Sequence, residues 1–260
     1  MQNTYLYELS RVKSTQVQMV NSRGYFIPDN EKVFLQDLDY QHGIELIKNM
    51  YANVAYQHGV PINSMMSQRY YRSQVIADKT YNDSIIVSYL PIPKSGKAPG
   101  KEDLKNIISQ FLSIVNSGEK VGLIIISGVK LNNPVTNDLK EKGLIYNIEL
   151  FYHSAILANP SKHFLCPKMK LLNKVERELF LAETKLNPED LRDILTDDAM
   201  ARYLGAIEGD IIEIKRDHVP INILDSDNVA WARVVNQEVL ERRKKKSKKN
   251  ELLTGKVNLN

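Results

Sequence analysis

The chain of 260 residues has a single cysteine, Cys166, and no long apolar segment. One cysteine cannot form an intrachain disulfide, and the longest apolar stretch, residues 121–126, is far shorter than the roughly 20 residues that span a bilayer. The first residues also lack the basic-then-apolar order of a signal peptide. We therefore expect no membrane-spanning segment and an intracellular protein, either cytosolic or nuclear.

The usual patterns of metal and nucleotide sites are missing as well. The histidines lie too far apart for a local metal pair, and one cysteine cannot build a zinc ribbon. They are His42, His58, His153, His163 and His218. Lys94-Ser95-Gly96-Lys97 lacks the spacing of a phosphate loop. We expect no metal, no cofactor and no small-molecule substrate, and we interpret Cys166 as a packed thiol.

The formal net charge of +4 is unevenly distributed. Residues 236–260 hold 8 basic and 3 acidic residues, whereas residues 1–235 hold 27 basic and 28 acidic ones. A body of charge −1 argues against a broad nucleic-acid-binding face, because phosphate neutralisation supplies most of that affinity. The block of like charge predicts a solvated basic tail. Its cations are Arg242, Arg243, Lys244, Lys245, Lys246, Lys248 and Lys249.

The first 158 residues alternate helical and strand patterns. Helical spacing covers residues 6–20, 44–55 and 104–115, and Asn133 with Pro134 predicts a short helix that stops at Gly143. Strand patterns cover residues 84–90, 121–127 and 144–151, whereas 60–82 has no clear period. This order predicts an α/β domain, a mixed sheet flanked by helices.

A smaller unit follows a linker at 159–162. Asn173 and Glu176 form a capping-box pattern before a helix at 174–185, whose Leu179, Ala182 and Leu186 are expected to face inward. Asn187 and Pro188 predict a further helix up to Leu195. With strands at 210–216 and 229–235, residues 163–235 are predicted to be a small α+β domain, followed by the basic tail at 236–260.

The clearest local pattern lies between residues 197 and 216. Asp197 or Asp198 can accept the free amides of a short apolar helix, and Gly205 can end it in a left-handed conformation. A second turn at Gly209 leads into alternating strand residues. The pattern is a tight helix joined to a strand through two glycines.

Three groups of residues carry a resemblance to a known family. They are Ala201-Arg202-Tyr203 with Gly205, Gly209, Ile211, Ile214 and Arg216; the opening His163-x-Leu165-x-Pro167-Lys168; and the turn Arg23-Gly24-Tyr25. Together they resemble the fifth subunit of nuclear RNA polymerases and its archaeal counterpart. That family has no catalytic chemistry of its own, so the resemblance implies a structural subunit rather than an enzyme.

The resemblance also implies partners and contact residues. The second domain is expected to anchor on the largest subunit beside other polymerase subunits, and the first to lie as a jaw near downstream duplex DNA. The turn that approaches DNA corresponds to Asn132, Asn133, Pro134 and Val135. The expected polymerase-interface residues are His163, Pro167, Lys168, Arg202, Tyr203, Gly205, Arg216 and Arg233.

The chain departs from the family pattern at several places. Ala199 stands where proline usually follows aspartate, and Met169 where histidine often follows Pro-Lys. With an apparent insertion near 60–82 and the added tail, these departures suggest a divergent version, such as one from a large DNA virus. The expected location is the nucleus, or the virion and cytoplasmic viral factory for a viral protein.

Two other functions fit parts of the sequence. Asp198, Glu213 and Lys215 have the residue types of an Mg²⁺-dependent nuclease, but a helix cap and a polar strand face account for the same residues. A free-standing nucleic-acid-binding adaptor using the basic tail is the second alternative. Arg69-Tyr70-Tyr71-Arg72 mixes cations with aromatics, which suits either stacking on nucleic acid or covering an apolar patch.

Overall fold

The computed structural model describes residues 2–58, 60–76, 79–90, 101–216, 229–237 and 241. The seven cations from Arg242 to Lys249, residues 94–97 and His218 lie outside these ranges. The chain divides into two compact units, Met1–Asn159 and Pro160–Asn260. Within the described ranges, no helix has the length and apolar character needed to cross a membrane.

The first unit contains a four-stranded sheet and seven α-helices among its described residues. The helices are α1 (Gln2–Ser22), α2 (Tyr40–Ile47), α3 (Asn53–His58), α4 (Ile62–Met65), α5 (Lys101–Asn116), α6 (Asn133–Tyr146) and α7 (His153–Ile156). A 3₁₀ segment spans Asp29–Leu35, and a π-helical segment, Lys48–Ala52, joins α2 to α3. The strands are β1 (Gln68–Ile76), β2 (Lys79–Tyr89), β3 (Val121–Ser127) and β4 (Ile148–Tyr152).

The sheet has the order β1-β2-β3-β4. Strands β1 and β2 are antiparallel, whereas β2, β3 and β4 run parallel, so the sheet is mixed and the predicted α/β class is confirmed. Successive residues of β3 point to opposite faces, yet Leu123 to Ser127 are all buried, as expected for a strand covered on both sides. One face packs against Leu104, Ile108 and Phe111 of α5.

Strand β1 and the start of strand β4 differ from expectation. Residues 68–76, predicted to lack regular structure, form edge strand β1, which pairs along its whole length with β2. Helix α6 continues past Gly143 to Tyr146, so β4 begins at 148 rather than 144. A glycine inside a helix costs only about 1 kcal/mol, whereas Asn147 adopts φ 55° and ends the helix there.

The second unit is built around another four-stranded sheet. Its strands are β5 (Lys168–Leu171), β6 (Arg192–Leu195), β7 (Ile211–Lys215) and β8 (Val229–Val235), and its α-helices are α8 (Lys174–Thr184) and α9 (Ala199–Leu204). The order is β5-β7-β8-β6, with β6 parallel to β8 and the other pairs antiparallel. Ala201, Ile212 and Val234 form the centre of its core, and the α+β prediction is confirmed.

Two predictions about the second unit were wrong. Residues 187–195 form a 3₁₀ turn at Pro188–Asp190 and then strand β6, not a helix, because the segment pairs with β8. Leu179 and Leu186 face solvent, with 56% and 42% of their surface exposed, and Ala182 is exposed too. Phe180 instead holds α8 on the sheet, where its ring stacks on Trp231 with centroids 5.0 Å apart.

Candidate functional site

Helix α9 has the two ends that the sequence predicts. The Asp198 carboxylate accepts hydrogen bonds from the amides of Met200, at 2.8 Å, and Ala201, at 3.2 Å. Gly205 adopts φ 71° at the other end, and Gly209 adopts φ 90° before β7. Both values lie in the left-handed region that favours glycine. These features fix where the helix begins and ends, and Ala201 packs it against Ile212 and Val234 of the sheet.

The predicted interface residues on α9 have different surroundings. Tyr203 is only 4% exposed and belongs to the interior of the second unit, whereas Arg202 is half-buried and reaches the surface. Most of the Tyr203 ring is therefore unavailable to a partner. A partner at this helix would contact Arg202 and the surface around the half-buried Gly205.

One end of the second sheet is basic. Lys168 of β5 lies directly across from Lys215 of β7, and Arg216 follows immediately. All three side chains are exposed. Like charges at opposed positions of a sheet repel each other, and Lys215 is also paired with Glu213 at 3.4 Å. The structure thus brings two of the predicted interface residues, Lys168 and Arg216, to one place.

The turn before β5 exposes apolar side chains. The exposed His163 ring stacks on Phe164 with centroids 5.0 Å apart, and Phe164 and Leu165 are 79% and 73% exposed. The Cys166 amide donates to the His163 carbonyl at 2.8 Å, which closes the turn ahead of Pro167. Burial, with a smaller effect of the Asp198 charge, raises the pKa of the Cys166 thiol, which favours the unreactive protonated form.

Exposed apolar residues continue on helix α8. Val175 and Leu179 of this helix and Leu186 just after its end, here called the α8 stripe, are 47%, 56% and 42% exposed, and Ile207 is 63% exposed. Among the described residues, the second unit exposes six large apolar side chains, as many as the first unit, although its described part is much shorter. Exposed apolar side chains favour contact with a partner protein where they lie close together.

Arg233 occupies a more enclosed position on β8. One of its terminal nitrogens lies 3.4 Å from the Asp193 carboxylate on the neighbouring strand β6. Its Nε is buried without a hydrogen-bond partner among the described residues. The Arg233 guanidinium therefore has an ion-pair partner inside the second unit.

The predicted DNA-contact turn lies at the start of α6. Asn132, Asn133 and Pro134 are exposed and Val135 is half-buried. The helix begins at Asn133, one residue earlier than predicted, and the Asn132 carbonyl accepts the Thr136 amide at 3.0 Å. The first amides of a helix lack intrahelical partners and attract anions. The turn can therefore meet a phosphate without a lysine cluster.

A groove runs beside this turn, between α5 and α6. It has a volume of about 450 Å³. Its lining is mostly apolar, with Leu104, Ile108 and Leu112 on one wall and Pro134 and Val135 on the other. The polar lining residues are Lys105, Ser109, Asp138 and Lys142. The sequence patterns predict both helices but not the groove, since the spacing of the helices on the sheet depends on the tertiary fold.

Comparison with known proteins identifies the second unit. Residues 158–222 match the family described as RNA polymerase Rpb5, C-terminal domain. The fifth subunit Rpo5 of the DNA-directed RNA polymerase of Pyrococcus horikoshii is 41% identical over 58 residues, which cover 71% of that protein and 22% of this chain. The chain belongs to the family of the fifth subunit of DNA-directed RNA polymerases.

The similarity to eukaryotic members extends over more of the chain. A subunit of Dictyostelium discoideum, rpabc1 of DNA-directed RNA polymerases I, II and III, is 26% identical over 168 residues, 64% of this chain and 81% of that protein. Subunit 5A of DNA-directed RNA polymerase V from Arabidopsis thaliana is 31% identical over 112 residues, 42% of this chain and about half, 49%, of that protein. The predicted resemblance is confirmed.

Fifth subunits are accessory parts of the polymerase without catalysis of their own, so the expectation of a non-catalytic chain is confirmed. The residues of the nuclease alternative have structural roles here. Asp198 caps α9, and Glu213 forms an ion pair with Lys215 at 3.4 Å. Within the described ranges, no group of three or more histidine, cysteine or acidic side chains could hold a metal ion.

The arginines of residues 69–72 also have structural partners. Arg69 pairs with Glu119 and donates to Ser84, and Arg72 pairs with Asp83 at 2.5 Å. The hydrogen bond to Asp83 raises the pKa of Arg72. Of the two tyrosines, Tyr70 is fully buried and Tyr71 is 59% exposed. The carboxylates of Glu119 and Asp83 thus neutralise the charges of Arg69 and Arg72. This weakens the interpretation of residues 69–72 as a nucleic-acid stacking surface.

Proposed function

We propose that this fifth subunit is a structural part of a multisubunit DNA-directed RNA polymerase, with its second unit anchored on the largest subunit. The relatives are subunits of such polymerases by name, and the family match covers this unit. The first unit then acts as the jaw beside downstream duplex DNA. The chain contributes architecture and contacts, while the catalytic site belongs to other subunits.

The exposed apolar surface of the second unit supports this anchoring. Phe164 and Leu165 lie within the matched segment and are 79% and 73% exposed. In sequence they shortly precede Lys168, which belongs to the basic end of the sheet. An isolated domain gains nothing from exposing such side chains, but burying one against a partner contributes about 1.5–3 kcal/mol. Apolar anchors beside Lys168 and Arg216 fit a partner with an apolar pocket and an acidic rim.

The DNA contact of the first unit is proposed for Asn132 to Val135. These residues combine an exposed turn with a helix start, and they belong to a part of the chain with a nearly neutral charge. A single contact of this type is weak in the free protein. Within a polymerase the duplex is already held nearby, so the effective concentration makes the contact productive.

The compartment follows from the polymerase that the subunit serves. The nucleus is the expected location for a cellular enzyme of the type that the Dictyostelium and Arabidopsis relatives represent. A divergent viral version would instead act in the virion and in the cytoplasmic viral factory. Localising the tagged full chain in its native cell distinguishes the two.

The anchoring surface is tested by a double substitution, Phe164→Asp with Leu165→Asp. Both side chains are exposed in the free chain, so folding should be unaffected while incorporation into the polymerase falls at least tenfold. Quantitative mass spectrometry of the purified polymerase measures the stoichiometry. Tyr56→Asp is the matched control, since Tyr56 is 89% exposed but lies in the first unit.

Two results would contradict the anchoring proposal. The first is wild-type incorporation of the double variant, and the second is an equal loss in the Tyr56→Asp control. Crosslinks from the assembled polymerase to downstream duplex DNA test the jaw separately. They should map to Asn132 through Val135, and crosslinks confined to the second unit would refute that contact while leaving the anchor untouched.

A further inference from the structure

The groove between α5 and α6 follows about two turns of α5. On α5, its lining residues Leu104, Ile108 and Leu112 recur at every fourth position, so they form one ridge along the helix. Eight residues of helix span about 12 Å, or roughly two turns. A groove of this length between two helices accepts the apolar side chains of two turns of a third helix.

The charge of the groove points to an acidic occupant. Lys142 is paired with Asp138 at 2.6 Å, so these two lining charges compensate each other. Lys105 is exposed and has no hydrogen bond or ion pair among the described residues. Among the described residues that line the groove, Lys105 is therefore the one positive charge without a partner, and it lies above an apolar floor. Its complement is an apolar helix face with a carboxylate at the edge.

From this geometry we infer that the α5–α6 groove binds an amphipathic acidic helix of a partner protein. The apolar face of that helix packs between Leu112 and Val135, and one of its glutamates or aspartates pairs with Lys105. Because Pro134 and Val135 form one wall, a bound acidic helix covers part of the α6 turn and repels phosphate there. Exclusion of DNA by the helix is a consequence that rests on the DNA contact proposed above.

The test uses the full chain and a synthetic probe peptide of about 14 residues, roughly four helical turns, with leucines on one face and glutamates elsewhere. A second peptide carries lysines in place of the glutamates. We expect the wild-type chain to bind the glutamate peptide more tightly than the lysine peptide. Methyl chemical shifts of Leu104, Ile108, Leu112 and Val135 should change with the glutamate peptide.

Lys105→Glu provides the sharpest variant, because it changes one exposed side chain and leaves the apolar floor intact. It should weaken the glutamate peptide roughly fivefold and strengthen the lysine peptide, as expected when one exposed ion pair becomes a repulsion. Lys48→Glu, an exposed lysine of the same unit outside the groove, is the matched control and should change neither affinity.

Three outcomes would overturn the inference. They are no binding of the glutamate peptide, binding that Lys105→Glu leaves unchanged, and shift changes confined to the α8 stripe. Concentration-dependent self-association that Lys105→Glu abolishes would show instead that the occupant is a second copy of this chain. Since every measurement uses the free chain, failure here leaves the polymerase and DNA proposals untouched. Their own failure would show in polymerase incorporation and DNA crosslinks.

Discussion

Lys13 and Glu31 form an ion pair of 2.7 Å inside the first unit, with 0% and 3% of their side chains exposed. Three tyrosine rings surround the ammonium group at 5.8–5.9 Å, and the Tyr51 and Tyr70 hydroxyls donate to the Glu31 carboxylate. Burial lowers the pKa of Lys13, while the Glu31 charge opposes that shift. The cluster joins α1, the 3₁₀ segment and β1.

We predict that Glu31→Gln destabilises the first unit by about 3–5 kcal/mol, because it leaves the buried Lys13 charge uncompensated. Adding Lys13→Met should recover part of that loss, since both charges are then absent. Urea unfolding followed by near-ultraviolet circular dichroism measures the effect, because 12 of the 13 tyrosines lie in this unit. Equal stability of the single and double variants would contradict the ionic explanation.

His153 predicts a pH dependence in the same unit. Its Nδ1 lies 3.2 Å from Glu8, its Nε2 is buried without a partner among the described residues, and burial lowers its pKa below 6.5. Because the unfolded state binds the proton more readily, the stabilising contribution of neutral His153 is complete above pH 6.5 and is lost as the pH falls through the folded-state pKa.

The free energy of unfolding should therefore fall below pH 6.5, by at most about 1.4 kcal/mol per pH unit from this one group. His153→Leu should reduce that slope between pH 7 and 5. His58→Gln, at an exposed histidine, should leave it unchanged. An unchanged slope in His153→Leu would assign the acid sensitivity to other groups.

Asp198 should behave as a helix cap. We expect Asp198→Ala to destabilise the second unit by about 1 kcal/mol and Asp198→Ser to retain most of the stability, because serine can also accept the amides at the start of α9. Fluorescence of Trp231, the chain's one tryptophan, reports unfolding of this unit. Equal losses in the two variants would argue against capping.

The structural role of Asp198 also predicts that no nuclease activity depends on it. The purified chain should leave duplex and single-stranded DNA intact in the presence of Mg²⁺ or Mn²⁺, since Asp198 and Glu213 have other partners. Cleavage that Glu213→Ala abolishes would restore the nuclease alternative.

The basic tail should dominate DNA binding by the free chain. Deletion of residues 242–260 removes its seven clustered cations and keeps the contact between Asn236 and Glu208 at 2.7 Å. We expect the truncated chain to lose most of the DNA binding. For the full chain, the logarithm of the affinity should fall with the logarithm of the salt concentration, with a slope of roughly −0.9 per phosphate neutralised. Undiminished binding by the truncated chain would place the main DNA site in the folded units.

The sequence predicted the elements that local patterns specify. The Asn173–Glu176 capping box, the Asp198 cap and the Gly205 stop are short-range interactions, and all three are present. The sequence did not predict the strands that form only because they pair with another part of the chain. Strand β1 contains polar residues and no clear alternation, yet it pairs with β2 for its whole length. Arg192–Leu195 likewise becomes a strand only because β8 lies beside it.

The residues of the proposed interaction surfaces could be predicted from the sequence only in part. The family motifs placed the expected contacts in the second unit and at the α6 turn. One of the expected interface residues, Tyr203, is an interior residue in the structure. Leu179, Ala182 and Leu186 were predicted to face inward, because helical spacing shows that a helix has an apolar face without showing what covers it. Phe180, which follows Leu179 in sequence, is the buried residue of α8 and packs the helix inward by stacking on Trp231.

Native purification tests the central claim most directly. The tagged full chain, isolated under mild salt from its own cell or virion, should bring down the two largest polymerase subunits at near-equal stoichiometry. Crosslinks to the largest subunit should fall between His163 and Arg216. A chain that purifies alone, or with partners unrelated to transcription, would contradict the account.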